Sequence, residues 1–209
     1  MMRGRLLVRT FRVGAVDAAA VRRAALAVCF AVGALFGHGY AGVHADGQAL
    51  QTYLREVCAL WAAEGVRLSP GSCVLLYGGY AAGAFLLGFA SVGAVLIPLL
   101  SGAFGFLSMY TVSCFVRVFG REGAVLAAAV LLVRMLFSLP CFLAMAEAAW
   151  PPSTELALLA FGRGRRSAPV LYGGRYFVVF GVCAAILAVG VCCERLVTPL
   201  LVRLALGAG

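Results

Sequence analysis

Apolar runs long enough to cross a bilayer recur along this chain between Ala24 and Cys193, and they decide what it can fold into. A bilayer core takes about 20 residues of helix, each adding about 1.5 Å along the axis. By that measure the sequence predicts spans over 24–43, 74–98, 102–116, 123–146 and 176–193. Hydrophobic residues make up 64% of the chain and charged residues 12%, whereas a soluble domain is about half apolar and a quarter charged. So few charges cannot cover a globule of 209 residues with polar surface, and the excess apolar surface must face lipid. The expected fold class is all-α, a polytopic transmembrane helical bundle of about five spans. It forms a single integral membrane domain, 24–209, behind a basic arm, 1–23. That length leaves no room for a separate soluble catalytic domain.

The span ends carry their own signals. The third run is short and the turn from Pro98 to Ser101 is uncharged, so a re-entrant hairpin stays open beside two tilted spans. Trp150-Pro151-Pro152 is expected to end the fourth. Every basic side chain is arginine. The arm carries Arg3, Arg5, Arg9, Arg12, Arg22 and Arg23, and the loop before the last span carries Arg163, Arg165, Arg166 and Arg175. With five spans these ten arginines share one side, against six on the other (Arg55, Arg67, Arg117, Arg121, Arg195 and Arg203). The positive-inside rule puts the N-terminus in the cytoplasm and the C-terminus outside. The net charge of +9 does not indicate nucleic acid, because these arginines flank apolar spans rather than forming a solvated face. Val43-His44-Ala45 also resembles a signal-peptidase site, but the arm and the apolar stretch before it are long for a signal peptide.

Between the first two runs the pattern changes. Leu50, Tyr53, Leu54, Val57, Cys58 and Trp61 recur at helical spacing among polar residues, which predicts an amphipathic helix over 46–64 with Asp46 as its N-cap. On this topology the helix lies outside, flat on the membrane or against the bundle. It either covers the span ends or presents Leu50, Tyr53, Leu54 and Trp61 to a partner.

Few residues suggest chemistry. The eight cysteines lie mostly in apolar runs, without CxxC spacing and away from the two histidines, so no metal site is expected. A Cys58–Cys73 disulfide is compatible with the first loop. Arg134 falls near the middle of the fourth run, where a charge needs a partner or water. With Glu122, Glu147 and Glu194 near span ends, the candidate partners are His38, Ser138, the carbonyl near Leu136 that Pro140 releases, or a group on another protein. His38 reads as a lone histidine packed between helices. No catalytic triad, paired carboxylates or phosphate loop is visible, so neither catalytic residues nor a cofactor are assigned. Gly33-x-x-x-Gly37 and Gly79-x-x-x-Gly83 offer smooth faces for close helix packing, continued by Gly88 and Gly93 and by Ser101-x-x-x-Gly105.

Together these features resemble the stage II sporulation protein M family. The matching pieces are AVGALFG from Ala31 to Gly37, QTYLRE from Gln51 to Glu56, and the charged turn Gly120-Arg121-Glu122-Gly123 with the run on to Pro140. Glu194-Arg195-Leu196-Val197-Thr198-Pro199 is similar to the family's C-terminal Glu-x-x-x-[Ser/Thr]-Pro signature, and the resemblance covers Ala24 to Leu206. Where the broader family often has Pro-His-Gly-x-x-Glu-Leu-Pro, this chain has Val133-Arg134-Met135-Leu136-Phe137-Ser138-Leu139-Pro140. Arg134 thus replaces the histidine and Ser138 the glutamate. The resemblance implies a non-catalytic, multi-pass scaffold that places peptidoglycan hydrolases at the septal membrane during forespore engulfment. Its contacts would come from the outer helix, the small-residue helix faces and the C-terminal segment, with Glu194 and Pro199 among the docking candidates. The alternative is a transporter or channel subunit with Arg134 lining a polar path between helices broken at Pro98 and Pro140.

Overall fold

A computed structural model describes residues 3–44, 52–53, 56, 70–128, 131, 133–162 and 173–207. All regular structure among them is helical: α1 (Arg3–His44), α2 (Pro70–Leu87), α3 (Gly93–Ala127), α4 (Val133–Ala160) and α5 (Gly174–Gly207). Three helices contain stretches long and apolar enough to cross a membrane, Ala18–Val43 in α1, Gly93–Arg121 in α3 and Gly174–Glu194 in α5. Large apolar side chains on these stretches stay exposed, among them Leu35, Phe36, Val95, Leu99 and Val178, as contact with a lipid bilayer requires. The basic arm is not a separate element, because α1 runs unbroken from Arg3 through the first apolar run.

Contacts give the helix directions. Along the α1–α3 seam, Leu26 meets Ser101, Gly37 meets Phe106 and His38 meets Ser113, so the numbers rise together and the two helices are parallel. α4 runs against α3, with Met135 beside Ser108 and Trp150 beside Ala94. α5 runs against α4, pairing Cys141 with Cys183 and Arg134 with Glu194. Tyr176 beside Phe85 makes α2 antiparallel to α5. The three apolar-length helices therefore point one way, and α2 and α4 point back. The N-terminus of α1 and the C-terminus of α5 lie at opposite ends of the bundle.

Four span boundaries differ from the sequence reading, each for a local reason. The run 74–98 is two helices, because the chain turns at 88–92. At that turn a side chain on Gly88 would strike the Tyr176 hydroxyl, and one on Gly93 would strike the Leu87 carbonyl. Pro98, expected at a turn, lies inside α3. Proline donates no hydrogen bond to the carbonyl four residues back; that carbonyl, Ala94, instead accepts one from Trp150 Nε1 at 3.1 Å. The run 102–116 thereby becomes part of a full-length helix rather than a re-entrant hairpin. The chain reverses at Gly120, whose φ of 61° and ψ of −131° lie outside the helical region. Past it, Gly123 packs on the carbonyl of Phe115, where a side chain would collide. The expected span 123–146 accordingly starts after a true reversal, and its α-helical geometry passes to π-helical turns at Ala128 and Leu131 before α4 begins at Val133.

α4 does not stop at Trp150-Pro151-Pro152 but continues to Ala160. Here the tertiary structure holds the segment: Ser153 Oγ donates to the Ala90 carbonyl at 2.7 Å and Trp150 to Ala94, fastening both sides of the proline pair to the α2–α3 turn. The last run, expected over 176–193, is the first part of a longer α5 that passes through Pro199. Of the segment 46–64, Thr52, Tyr53 and Glu56 are helical and exposed, while Leu50, Leu54, Trp61 and Cys58 lie outside the described residues.

The largest core cluster joins all five helices through Leu26, Ala84, Ile97, Phe104, Phe142, Met145 and Tyr176. Its aromatic rings meet closely, Tyr80 stacking on Phe104 with centroids 4.4 Å apart and Phe85 on Phe180 at 4.2 Å. Such ring pairs add about 0.5–1.5 kcal/mol beyond area burial. They fix the height at which α2, α4 and α5 meet, and so the height of the polar groups described next.

Candidate functional site

Arg134 stands in the first turn of α4, and its guanidinium lies 3.4 Å from a carboxylate oxygen of Glu194 on α5. The two side chains are 19% and 5% exposed. Glu194 closes the apolar stretch of α5, and the sequence placed it at a span end out of reach of Arg134. The pair is not legible in the sequence because it depends on the register in which α4 and α5 pack: run antiparallel, with Cys141 on Cys183, they bring Arg134 level with Glu194. Glu194, proposed from the sequence as a docking residue, is buried and held inside the bundle.

Tyr77 of α2 completes the cluster. The Arg134 guanidinium lies over its ring, 5.7 Å from the centroid, within the range of a cation–π contact. The Tyr77 hydroxyl has Arg134 and Glu194 as its electrostatic neighbours. One turn along α4, Ser138 is also buried. Tyr77 Oη, Arg134 Nε and Ser138 Oγ are each buried without a hydrogen-bond partner. A buried polar group without a partner costs roughly 1–3 kcal/mol, so this is the polar region of the bundle where water or a polar solute has most to gain. None of His38, the Leu136 carbonyl or Ser138 is the partner of Arg134.

Below this cluster, α4 and α5 face each other through Cys141 and Cys183. Each thiol donates a weak hydrogen bond to the other's carbonyl, at 3.8 Å and 3.6 Å. Between the thiols and the ion pair, Gly190 receives Phe137, whose ring and Cβ lie where a side chain would stand. Among the described residues, no group of three or more His, Cys, Asp or Glu could hold a metal ion.

The other sequence candidates are distributed over the bundle. His38 sits at the edge of the α1–α3 seam, exposed, and its Nδ1 shares a hydrogen bond of 3.0 Å with Ser113 Oγ. Gly33 and Gly37 meet the backbone of Gly102 and Phe106 so closely that a side chain at either would collide with a carbonyl. Gly105 does the same to Phe30, and Ser101 Oγ donates to the Leu26 carbonyl at 2.9 Å. The second smooth face is not used in this way, since a side chain on Gly79 would meet nothing and one on Gly83 only the tip of Leu100. Tyr53 is exposed, and Pro199 lies within α5. A second ion pair, absent from the sequence reading, joins Arg23 of α1 to Glu147 of α4 at 2.8 Å. Comparison with protein-family models, with curated proteins and with solved structures finds no match to the chain.

Proposed function

We propose that the chain is a five-pass, non-catalytic scaffold of the cell membrane that places peptidoglycan-degrading enzymes at the septum during forespore engulfment. The observation that carries this reading is how the interior polar groups are used. Ser101, Trp150 and Tyr176 each donate to a backbone carbonyl of a neighbouring helix, Ser153 donates to one in the α2–α3 turn, and Arg134 pairs with Glu194. Bonds of this kind lock helices at fixed positions, which suits a platform. Three parallel helices of crossing length support five passes, because the chain must return between them, and α2 and α4 run in the returning direction. With the arginine-rich arm in the cytoplasm, the C-terminus then lies outside. The outer helix around Tyr53 and the sequence resemblance supply the docking face and the identity of the partners.

The test is capture of the tagged protein from sporulating cells in mild detergent, with bound proteins identified by mass spectrometry. Peptidoglycan hydrolases should be recovered, and replacing Leu54 and Trp61 by aspartate should release them. Wild-type engulfment in a deletion strain would refute the proposal.

The unpartnered atoms around Arg134 favour a second reading, a transporter or channel subunit whose polar path passes Tyr77 and Ser138. That reading requires a solute flux in proteoliposomes that Arg134→Met abolishes, whereas a scaffold needs no flux.

A further inference from the structure

The α1–α3 seam has one side that the bundle leaves open. There Val32, Phe36, Gly39, Tyr40 and Val43 of α1, with Phe106 of α3, line an apolar groove of about 570 Å³. It is wide because Gly39 contributes no side chain, and a Cβ there would meet nothing within 4 Å. Tyr40 packs against Phe106 and Tyr110, centroids 5.8 and 5.9 Å away, with its ring tilted 54° and 53° to theirs. From Val32 to Val43 the groove runs eleven residues, about 16 Å at 1.5 Å per residue. That is half of a hydrocarbon core of about 30 Å, the depth of a single leaflet.

A positive charge lies beside the Val43 end of the groove, against the neighbouring Gly42. It is the guanidinium of Arg117, with Nη2 3.2 Å from where a Gly42 Cβ would be. Arg117 is exposed, and no carboxylate among the described residues pairs with it. A guanidinium at the boundary of an apolar groove one leaflet deep matches a lipid with an anionic head and a long acyl chain. The planar donor fork suits a phosphate, and tyrosine is favoured at the level of headgroups.

We infer that this face is a binding site for an anionic phospholipid, with its phosphate on Arg117 and one acyl chain along the groove between Phe36, Tyr40 and Phe106. The inference needs only that α1 and α3 cross the membrane, and it is independent of the scaffold reading. The probes are phosphatidylglycerol and phosphatidylcholine, titrated against the purified full chain in mild detergent and followed by native mass spectrometry. The wild type should retain one phosphatidylglycerol about five-fold more tightly than phosphatidylcholine, the preference expected of one arginine at the headgroup level. Arg117→Gln should erase that preference and Arg117→Lys restore most of it. Gly39→Leu, which fills the groove without touching the bundle, should weaken retention of both lipids. Equal retention of the two lipids by the wild type would overturn the proposal, as would a preference that survives Arg117→Gln. So would a dimer that Gly39→Leu dissolves, since a second copy would then be the occupant.

Discussion

Two seams hold this bundle together by different means. Along α1–α3 the helices are parallel and their backbones touch, because Gly33, Gly37 and Gly105 remove the side chains that would keep them apart. Along α4–α5 the helices are antiparallel and meet through side chains: an ion pair, two thiols, and a phenylalanine set against Gly190. Lipid offers no hydrophobic drive for helices to associate, so contact must come from close packing or from polar bonds. The first seam uses mainly packing, and the second relies on a charge pair. A packed seam is damaged in proportion to what is inserted. A charged seam is damaged most when one partner is removed, since the other is left buried and alone.

The largest effect is accordingly expected at Glu194. Glu194→Ala should lower stability by about 3–5 kcal/mol, the cost of an uncompensated buried charge, as read from equilibrium unfolding in mixed detergent micelles. The double variant Arg134→Met with Glu194→Leu should recover most of that loss, because apolar side chains of similar volume can replace a buried pair. A double variant as unstable as the single would mean that Glu194 acts through something other than Arg134.

At the packed seam Gly33→Leu should cost about 1–3 kcal/mol, since the new side chain is driven into the Gly102 backbone and the helices must separate. Gly79→Ala is its counterpart. No neighbour is struck there, so the substitution should stabilise by about 0.5–1 kcal/mol through backbone entropy alone. Equal destabilisation by the two would remove the distinction between a glycine that permits contact and one that does not. Ser101→Ala comes next, at about 0.6 kcal/mol, the average for a hydrogen bond between membrane helices. Its modest value is the point: the seam should survive loss of the Leu26 contact as long as its glycines remain.

Parts of this contrast were legible in the sequence. Gly33-x-x-x-Gly37 signalled close approach because the requirement is local, two small residues one turn apart on an apolar helix. The same signal at Gly79 and Gly83 misled, because spacing says that a face is smooth and not that another helix lies on it. Pro98 was misread as a turn for a related reason. What lets the helix continue is Trp150, distant in the chain, and nothing near Pro98 announces it. The Arg134–Glu194 pair escaped because its geometry depends on the register in which two helices pack. Antiparallel packing of α4 on α5, with Cys141 on Cys183, brings Arg134 level with Glu194, and a shift of one helix along the other would part them. The apolar runs themselves were plain, since composition over twenty residues is insensitive to such shifts.

The smallest effect is expected at the other ion pair. Arg23 and Glu147 approach more closely than Arg134 and Glu194, at 2.8 Å against 3.4 Å, yet the Arg23 side chain is 67% exposed. Distance alone would rank this pair the stronger. Exposure reverses the order, because water and salt screen a pair that is not enclosed. Arg23→Ala should therefore cost only about 0.2–0.5 kcal/mol, and the cost should shrink further when the unfolding titration is repeated at high salt. Along α4 the two pairs lie thirteen residues apart, about 20 Å, which is less than the hydrocarbon thickness of about 30 Å. If α4 crosses as proposed, the pairs cannot both reach water on opposite sides, and the enclosed one must be the one kept from it. A salt-insensitive loss at Glu194 beside a salt-sensitive one at Arg23 is the pattern this requires. Equal salt dependence at both would mean that the Arg134 cluster is open to solvent, as a polar path through the bundle would need.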